Sequence, residues 1–355
     1  MVAKKITRRE FVEGLTVGGV AGFLAAAGIH TMVFPQTLSP PVLPKEMDIG
    51  EIESLEIKCI SETSWFDNAT LLRDIRAAGG VLVNQYQIGW PCPGNPKYDG
   101  DLHPENAGGY AALLDIDGVD GSHYTILLDT GWSKDWMTEC FQREGIDKML
   151  EKNEIDFQYI SHEHFDHWWG YPATTQYNKD LPLMIPDTWY PESLEIISAS
   201  GHTGEVKKMP PGIHKLFPGC VSVTFDIPII TRVRGEQVLY FNVRDYGYVT
   251  VTGCCHPGLI TLCEYAKINF KGGSEMYGVY GGLHISPFED WDPMNDDLVL
   301  GLGKYNTKKL GANHCTGYIT VEKMIEAGLP VVRGTARYRT KRDIYLGNSD
   351  TIKFP

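Results

Sequence analysis

A surplus of positive charge is what this chain most plainly lacks. Against 45 Asp and Glu stand only 32 Lys and Arg, a formal charge of −13, with a sequence pI near 5.3. So acidic a surface repels phosphate backbones and argues against general nucleic-acid binding; it leaves room for a local basic or metal-bearing pocket. Near the N-terminus the uncharged stretch Leu15 to Ile29 has 15 residues, many of them Gly and Ala, where a comfortable membrane span needs about 20 predominantly apolar ones. The eight cysteines show no regular Cys-x-x-Cys spacing. There is no Gly-x-Ser-x-Gly elbow to suggest a serine nucleophile. Gly79-Gly80 and Gly272-Gly273 lack the flanking pattern of a phosphate cradle and read as turns. No fixed-period repeat is visible. What is present, 43% hydrophobic and 11% aromatic residues, is the composition of a packed globular protein and excludes disorder, collagen and coiled coil. A length of 355 residues allows two domains or one large layered domain.

The chain opens on Lys4, Lys5, Arg8 and Arg9 before the uncharged stretch. Thr7-Arg8-Arg9-Glu10-Phe11-Val12 resembles the twin-arginine export signal, and Ala25-Ala26-Ala27 offers a small-residue cleavage site. Residues 1–30 are therefore expected to be a signal segment, and the protein to be exported to the periplasm or beyond by the twin-arginine machinery. An uncleaved segment would act as a membrane tether. Residues 31–54, with Pro35, Pro40, Pro41 and Pro44, read as an extended linker, and residues 55–355 as the folded domain. An exported chain is free to form disulfides, so the pairing of Cys59, Cys92, Cys140, Cys220, Cys254, Cys255, Cys263 and Cys315 stays open.

Within the domain, short apolar runs predict strands at Leu55–Ile60, Tyr110–Ile116, Tyr124–Leu128, Phe157–Ile160, Leu183–Ile185, Val221–Phe225, Gln237–Val243, Tyr248–Thr252 and Tyr277–Tyr280. Amphipathic stretches predict helices at Lys134–Lys152, Pro191–Ser198, Leu259–Ile268 and Val321–Ala327, the last capped by Thr320. Strand pairs, then a helix, then more strands and another helix fit mixed sheets with helices outside better than a doubly wound parallel sheet.

The chemistry is concentrated in histidine. Three of the 11 His fall in Ser161-His162-Glu163-His164-Phe165-Asp166-His167, directly after an apolar strand. Extended backbone puts His162 and His164 on one side, and Asp166 and His167 lie where the chain turns away. Four N and O donors so close are expensive to hold together without a cation, and imidazole with carboxylate suits Zn, Fe or Mn.

His162-x-His164-x-Asp166-His167 resembles the metal motif of the metallo-β-lactamase superfamily, and Ile126-Leu127-Leu128-Asp129-Thr130-Gly131 resembles the strand and turn that precede it there. Val251-Thr252-Gly253-Cys254-Cys255-His256-Pro257-Gly258, Tyr280-Gly281-Gly282-Leu283-His284 and His314-Cys315-Thr316-Gly317 are similar to the branch named for dihydropterin-ribofuranosylaminobenzene-phosphate synthases. The resemblance runs from about Leu55 to Tyr338. It implies an α/β fold, an αββα sandwich with mixed sheets and helices on the outer faces, and two divalent ions, zinc first with Fe or Mn as alternatives. His162 and His164 would hold one ion and Asp166 and His167 the other, each completed by a later histidine, with His256 and His314 the choices. His284 is a third candidate, as ligand or substrate contact, and His202 in Gly201-His202-Thr203-Gly204 reads rather as a surface residue. Two departures stand out. Where many members carry a bridging Asp the run ends Gly253-Cys254, so Cys254 either ligates as thiolate or the bridge is absent. Where the branch has Glu-His-Gly, this chain has Glu105 without an adjoining His.

The activity implied is that of an exported hydrolase using metal-activated water on a small ester-like molecule: phosphoester, lactone or thioester. Asp166 would orient or deprotonate the water, and His284 would stabilise the developing oxyanion or protonate the leaving group. Trp168, Trp169 and Tyr171 either wall a cyclic substrate or pack in the core. The alternatives are a non-catalytic metal-bearing accessory subunit and a synthase-type or di-iron redox enzyme on the same fold.

Overall fold

The structure, a computed structural model, describes residues 46–62, 76–77, 79–80, 82–87 and 108–355. The expected export segment, the expected linker up to residue 45, Cys92 and Glu105 lie outside the described residues. In chain order the first elements are β1 (Ile52–Ser61), β2 (Ala111–Gly118), β3 (His123–Leu128), α1 (Lys134–Glu144), α2 (Ile146–Glu151), β4 (Phe157–Tyr159), α3 (Phe165–Trp168) and α4 (Pro172–Tyr177). Then come β5 (Leu183–Pro186), α5 (Pro191–Ala199), β6 (Val206–Met209), β7 (Gly212–Phe217), β8 (Cys220–Pro228), β9 (Arg234–Val243) and β10 (Gly247–Thr252). Last are α6 (Leu259–Asn269), β11 (Met276–Gly282), α7 (Asn295–Leu302), β12 (Lys309–Asn313), α8 (Tyr318–Glu326) and β13 (Thr351–Phe354).

Alternation along the strands builds the layers. Ala112, Leu114 and Ile116 of β2 share one core with Leu239, Phe241 and Val243 of β9, together with Leu55 and Ile57 of β1 and Val249 and Val251 of β10. The intervening residues face outward under helices. Ala111, Leu113 and Leu127 pack on Trp136, Met137, Phe141, Ile146 and Leu150 of α1 and α2. Val238, Tyr240 and Val279 pack on Leu262, Ala266, Val299, Val321 and Met324 of α6, α7 and α8. Helix, sheet, sheet and helix are thus stacked in that order, the α/β sandwich with mixed strands that the sequence predicts.

The thirteen strands among the described residues hydrogen-bond into one mixed sheet, β12-β11-β10-β9-β1-β2-β3-β4-β5-β6, with β13 on β1 and the β7–β8 hairpin on β9. Strands of the two halves pair where β1 meets β9, at Ile52 and Val243, and the halves also touch through the single bridge between His162 and Glu236. In one half β3, β4, β5 and β6 run parallel. In the other, parallel registers pair Thr252 with Gly281 and Gly282 with Asn313. The loops carrying His162, His256, His284 and His314 therefore all leave carboxyl ends of strands, the edge where open α/β sheets place their ligands.

The nine predicted strands are present with shifted ends. The predicted helix Lys134–Lys152 is two helices, because Gly145 adopts φ 76° and closes α1. α8 opens at Tyr318 behind Gly317, not behind Thr320; the buried Thr320 hydroxyl instead bonds Ser286 at 2.7 Å. One compact unit spans Glu46–Pro355, with Met47 bridged to Phe270 and Ile49 buried, so residues 46–54, assigned to the linker behind the prolines at 35–44, belong to the sandwich. No helix among the described residues is long and apolar enough to cross a membrane.

Candidate metal centre

β4 stops at Tyr159, but the chain stays extended: His162 makes a single antiparallel bridge to Glu236, and His164 keeps φ −65° and ψ 139° before α3. This delivers His162 Nε2 to 3.0 Å from His164 Nδ1. The single turn of α3 then swings Asp166 and His167 toward β12. His314 Nε2 lies 3.3 Å from Asp166 Oδ2 and 3.3 Å from His167 Nε2. Two trios result, His162/His164/His256 and Asp166/His167/His314, each with its donor atoms within 4.8 Å of one another. The resemblance implies the same six residues for two ions, and the structure pairs His256 with His162 and His164, and His314 with Asp166 and His167.

Hydrogen bonds on the far side of each ring fix where its proton sits. His164 Nε2 is 3.0 Å from the Ile230 carbonyl, which can only accept, so Nδ1 holds a lone pair. The Ser161 hydroxyl donates to Asp129 Oδ2 at 2.8 Å and must accept from His162 Nδ1 at 2.9 Å, leaving a lone pair on His162 Nε2. Two lone pairs therefore face each other at 3.0 Å. His256 Nδ1 donates to Glu236 Oε2 at 2.9 Å, and its Nε2 is buried with no hydrogen-bond partner. His167 Nδ1 donates to Asp129 Oδ2 at 2.6 Å. Four imidazole lone pairs and the Asp166 carboxylate converge, an arrangement that repels itself unless a cation lies among them. The separations of 3.0 and 3.3 Å are close to the about 3.3 Å between nitrogens on one tetrahedral zinc. The residues fit divalent ions.

Protonation of His162, His164 and Asp166 agrees with that fit. Burial, and then His256, lower the pKa of His164 to about 3. Burial and neighbouring imidazoles also hold His162 and His284 well below the ordinary histidine value. Burial works against ionisation of Asp166, yet His167 and His314 hold its carboxyl below the usual range. Burial likewise opposes charge on His167, but Asp166 and Asp129 outweigh it and raise that imidazole.

No protein-family profile matches the chain. Over 212 residues, 48% of this chain and 70% of the other, it is 27% identical to the 7,8-dihydropterin-6-methyl-4-(β-D-ribofuranosyl)-aminobenzene-5′-phosphate synthase of Methanocaldococcus jannaschii. Among solved structures, Tm1679, a metal-dependent hydrolase of the β-lactamase superfamily, aligns with a TM-score of 0.53 at 16% identity, over 85% of this chain and 98% of that one. The fold is that of the metallo-β-lactamase superfamily. The metallo-β-lactamase fold protein YhfI of Bacillus subtilis aligns at a TM-score of 0.44 and 11% identity, over 85% of this chain and all of that one.

On this metallo-β-lactamase fold the remaining candidates are distributed as follows. His284, in a left-handed conformation at φ 46°, stands outside both trios with its ring 4.6 Å from that of His256. It lines, with His256, Leu259, Ile260 and Leu283, a cavity of about 240 Å³. A second cavity of about 170 Å³ opens beyond His314, between Tyr318, Tyr345, Lys341 and Arg342. Trp168, Trp169 and Tyr171 are fully buried in an aromatic cluster and line neither cavity. His202 accepts or donates at 2.8 Å to the Tyr171 hydroxyl and joins neither trio. The seven described cysteines are all free and buried. Sequence reasoning missed the two carboxylates that orient the rings. Asp129 takes His167 Nδ1, Ser161 Oγ and Ser161 N. Glu236 takes His256 Nδ1 and four further donors around it, and those donors hold its pKa at about 2 against the effect of burial.

Proposed function

We propose that this protein is a metal-dependent hydrolase of small ester-like molecules, with phosphoesters, lactones and thioesters as the substrate classes. The observation that carries the reading is the convergence of outwardly anchored imidazole lone pairs on two adjacent points. His162, His164 and His256 would hold one divalent ion, and Asp166, His167 and His314 the other, with zinc the first choice and iron or manganese the alternatives. Ions so held supply Lewis acidity and acidify a water. The chain supplies orientation and proton handling. Asp129 and Glu236 lock the tautomers of His167 and His256. Asp166, ionised and buried in the second trio, would orient the water or accept its proton, and the neutral His284 at the cavity wall would donate a hydrogen bond to a developing oxyanion or leaving group.

Support comes from the hydrolase named among the fold neighbours. The synthase relative favours a second reading, in which the same ions activate a substrate for bond formation. The deciding experiment is metal analysis of protein purified without added metal or chelator, followed by Asp166→Asn and a screen of the three ester classes. Two ions per chain and loss of turnover by orders of magnitude in a folded variant are expected. A folded protein that holds no metal would refute the hydrolase. Export by the twin-arginine route is part of the proposal, tested by fractionation and N-terminal sequencing of the mature chain.

A further inference from the structure

The two cavities beside the centre differ in charge. The one beyond His284 is walled by Leu259, Ile260, Leu283 and Leu298 and has no Lys, Arg, Asp or Glu in its lining. The one beyond His314 is lined by Lys341 and Arg342 against one acid, Glu289. Those two cations end a run, residues 333–342, that holds Arg333, Arg337, Arg339, Lys341 and Arg342 and no acid, in a chain of formal charge −13. Such a local reversal of sign draws anions, and it draws them to the wall behind a proposed metal ligand.

That wall presents donors from three elements. Arg342 lies over the Tyr318 ring at 3.7 Å, and Glu322, outside the lining, takes one of its N–H groups at 3.1 Å. A guanidinium carries five N–H donors, so others remain. Lys341 is exposed and forms no ion pair among the described residues. The nine-residue helix α8 begins at the same wall behind Gly317, with neither a side-chain cap nor an acid in its first turn. Its partial positive charge and its first N–H groups therefore go unanswered. Asn313 is a second, independent sign of a ligand: it lines the same cavity, is 2% exposed, and its Oδ1 has no hydrogen-bond partner. Its Nδ2 is 3.8 Å from the Cys59 thiol; a thiol can also donate, so the amide turned over would offer its NH₂ instead.

We infer that the substrate carries a second, non-reacting anionic group, a phosphate or a carboxylate, which Lys341, Arg342 and the start of α8 receive beyond His314, while its uncharged part extends toward His284. This rests on the metal-centre and hydrolase readings above and gives the substrate a direction across the two ions. Lys341 and Arg342 are then specificity-determining residues that touch the substrate away from the bond that breaks.

The test joins binding to rate on full-length, metal-loaded protein. Inorganic phosphate and glutarate are titrated calorimetrically into wild type, the Lys341→Ala/Arg342→Ala double variant and Lys208→Ala, which removes an exposed charge on β6, and metal is counted in each. Rates are then compared on 4-nitrophenyl esters of butyrate, of glutarate with its free carboxylate, and of 4-phosphonobutyrate with its distal phosphonate. Wild type is expected to bind at least one anion and to hydrolyse the matching charged ester with a kcat/KM about tenfold or more above that for the butyrate ester, the scale of one hydrogen bond to a charged group. The stronger arm tells phosphate from carboxylate. The double variant should lose that advantage through KM, with metal content and butyrate turnover unchanged. Equal anion binding by wild type and double variant would place the anion on the ions and overturn the inference. So would a wild type that binds neither anion or prefers the neutral ester, or an equal loss in Lys208→Ala. If the double variant does not fold, Lys341→Ala alone decides. If no ester turns over but the double variant loses anion binding, the hydrolase falls and the anion site stands.

Discussion

Glu236→Gln separates the support of the centre from its ligands. The buried carboxylate accepts five hydrogen bonds: Oε1 takes Thr252 Oγ1 at 3.1 Å, Cys254 N at 3.1 Å and Cys255 N at 2.8 Å, and Oε2 takes His256 N at 2.7 Å and Nδ1 at 2.9 Å. An amide offers one oxygen. If that oxygen replaces Oε2, the NH₂ meets two backbone N–H groups that cannot rearrange, about 2–6 kcal/mol at the usual cost of a buried unpaired donor. If it replaces Oε1, a single backbone N–H is stranded, about 1–3 kcal/mol, so this orientation wins. The NH₂ then donates to His256 Nδ1, the ring proton moves to Nε2, and the lone pair aimed at His162 and His164 is lost. Metal affinity should fall about 10–100-fold, the usual effect of removing a ligand's supporting hydrogen bond, which is about 1.4–2.7 kcal/mol. Urea unfolding of the metal-free proteins reads the first quantity and zinc titration against a competing chelator the second. Histidine ring ¹⁵N NMR reports the tautomer. Unchanged zinc affinity with His256 still protonated at Nδ1 would refute the reasoning.

Three further outcomes are expected. Saturating zinc at about 100 times its dissociation constant should stabilise the fold by about 2.7 kcal/mol per site, seen as a raised melting temperature that a chelator reverses and magnesium does not reproduce; an unmoved transition counts against the centre. His123 lies between Asp115 at 2.8 Å and Asp117 at 2.9 Å, and the Asp117 hydrogen bond raises its pKa. A raised folded-state pKa contributes stability below the unfolded value of about 6.5 and loses it as pH rises through the folded value. His123→Gln should thus cost under about 1 kcal/mol in mild acid, the range of exposed pairs, and nothing in alkali; equal urea midpoint shifts at both pH values would contradict this. Gly281, at φ +125°, would bring an added Cβ to 1.9 Å from the Thr252 carbonyl of the neighbouring strand. Gly281→Ala should therefore cost about 3 kcal/mol or more and lower zinc retention, and a wild-type urea midpoint would show the strands can part freely.

The layers were legible because alternation and burial share a period: Leu114 and Phe241 look inward and Leu113 and Tyr240 outward. The first four donors were legible because extended backbone carries His162 and His164 to one side even though β4 ends before them. Elements without such a pattern were missed. β6 reads Val-Lys-Lys-Met and is half exposed, β12 has five residues including Gly311 and Asn313, and β13 has four, of which only Ile352 and Phe354 are buried. α3 has a single turn, and α7 opens on Asn295, Asp296 and Asp297 with only Val299 and Leu302 buried. Glu236 was invisible for a related reason. As a sequence it is a charged residue ahead of an apolar strand, and only the bridge to His162 and the turn after β10 enclose it.

The registers that gather the histidine loops also impose an order in time. By residue 167 four donors have been synthesised, yet one trio waits for His256 and the other for His314, and β1 gains its partner β13 only at Thr351–Phe354. A chain that stops before His256 holds only pairs of donors, and one that stops before His314 holds a single trio. If the centre holds its ions as proposed, firm retention of both would need the chain through His314, and the ratio of two ions to one in a preparation would report how many molecules were made that far.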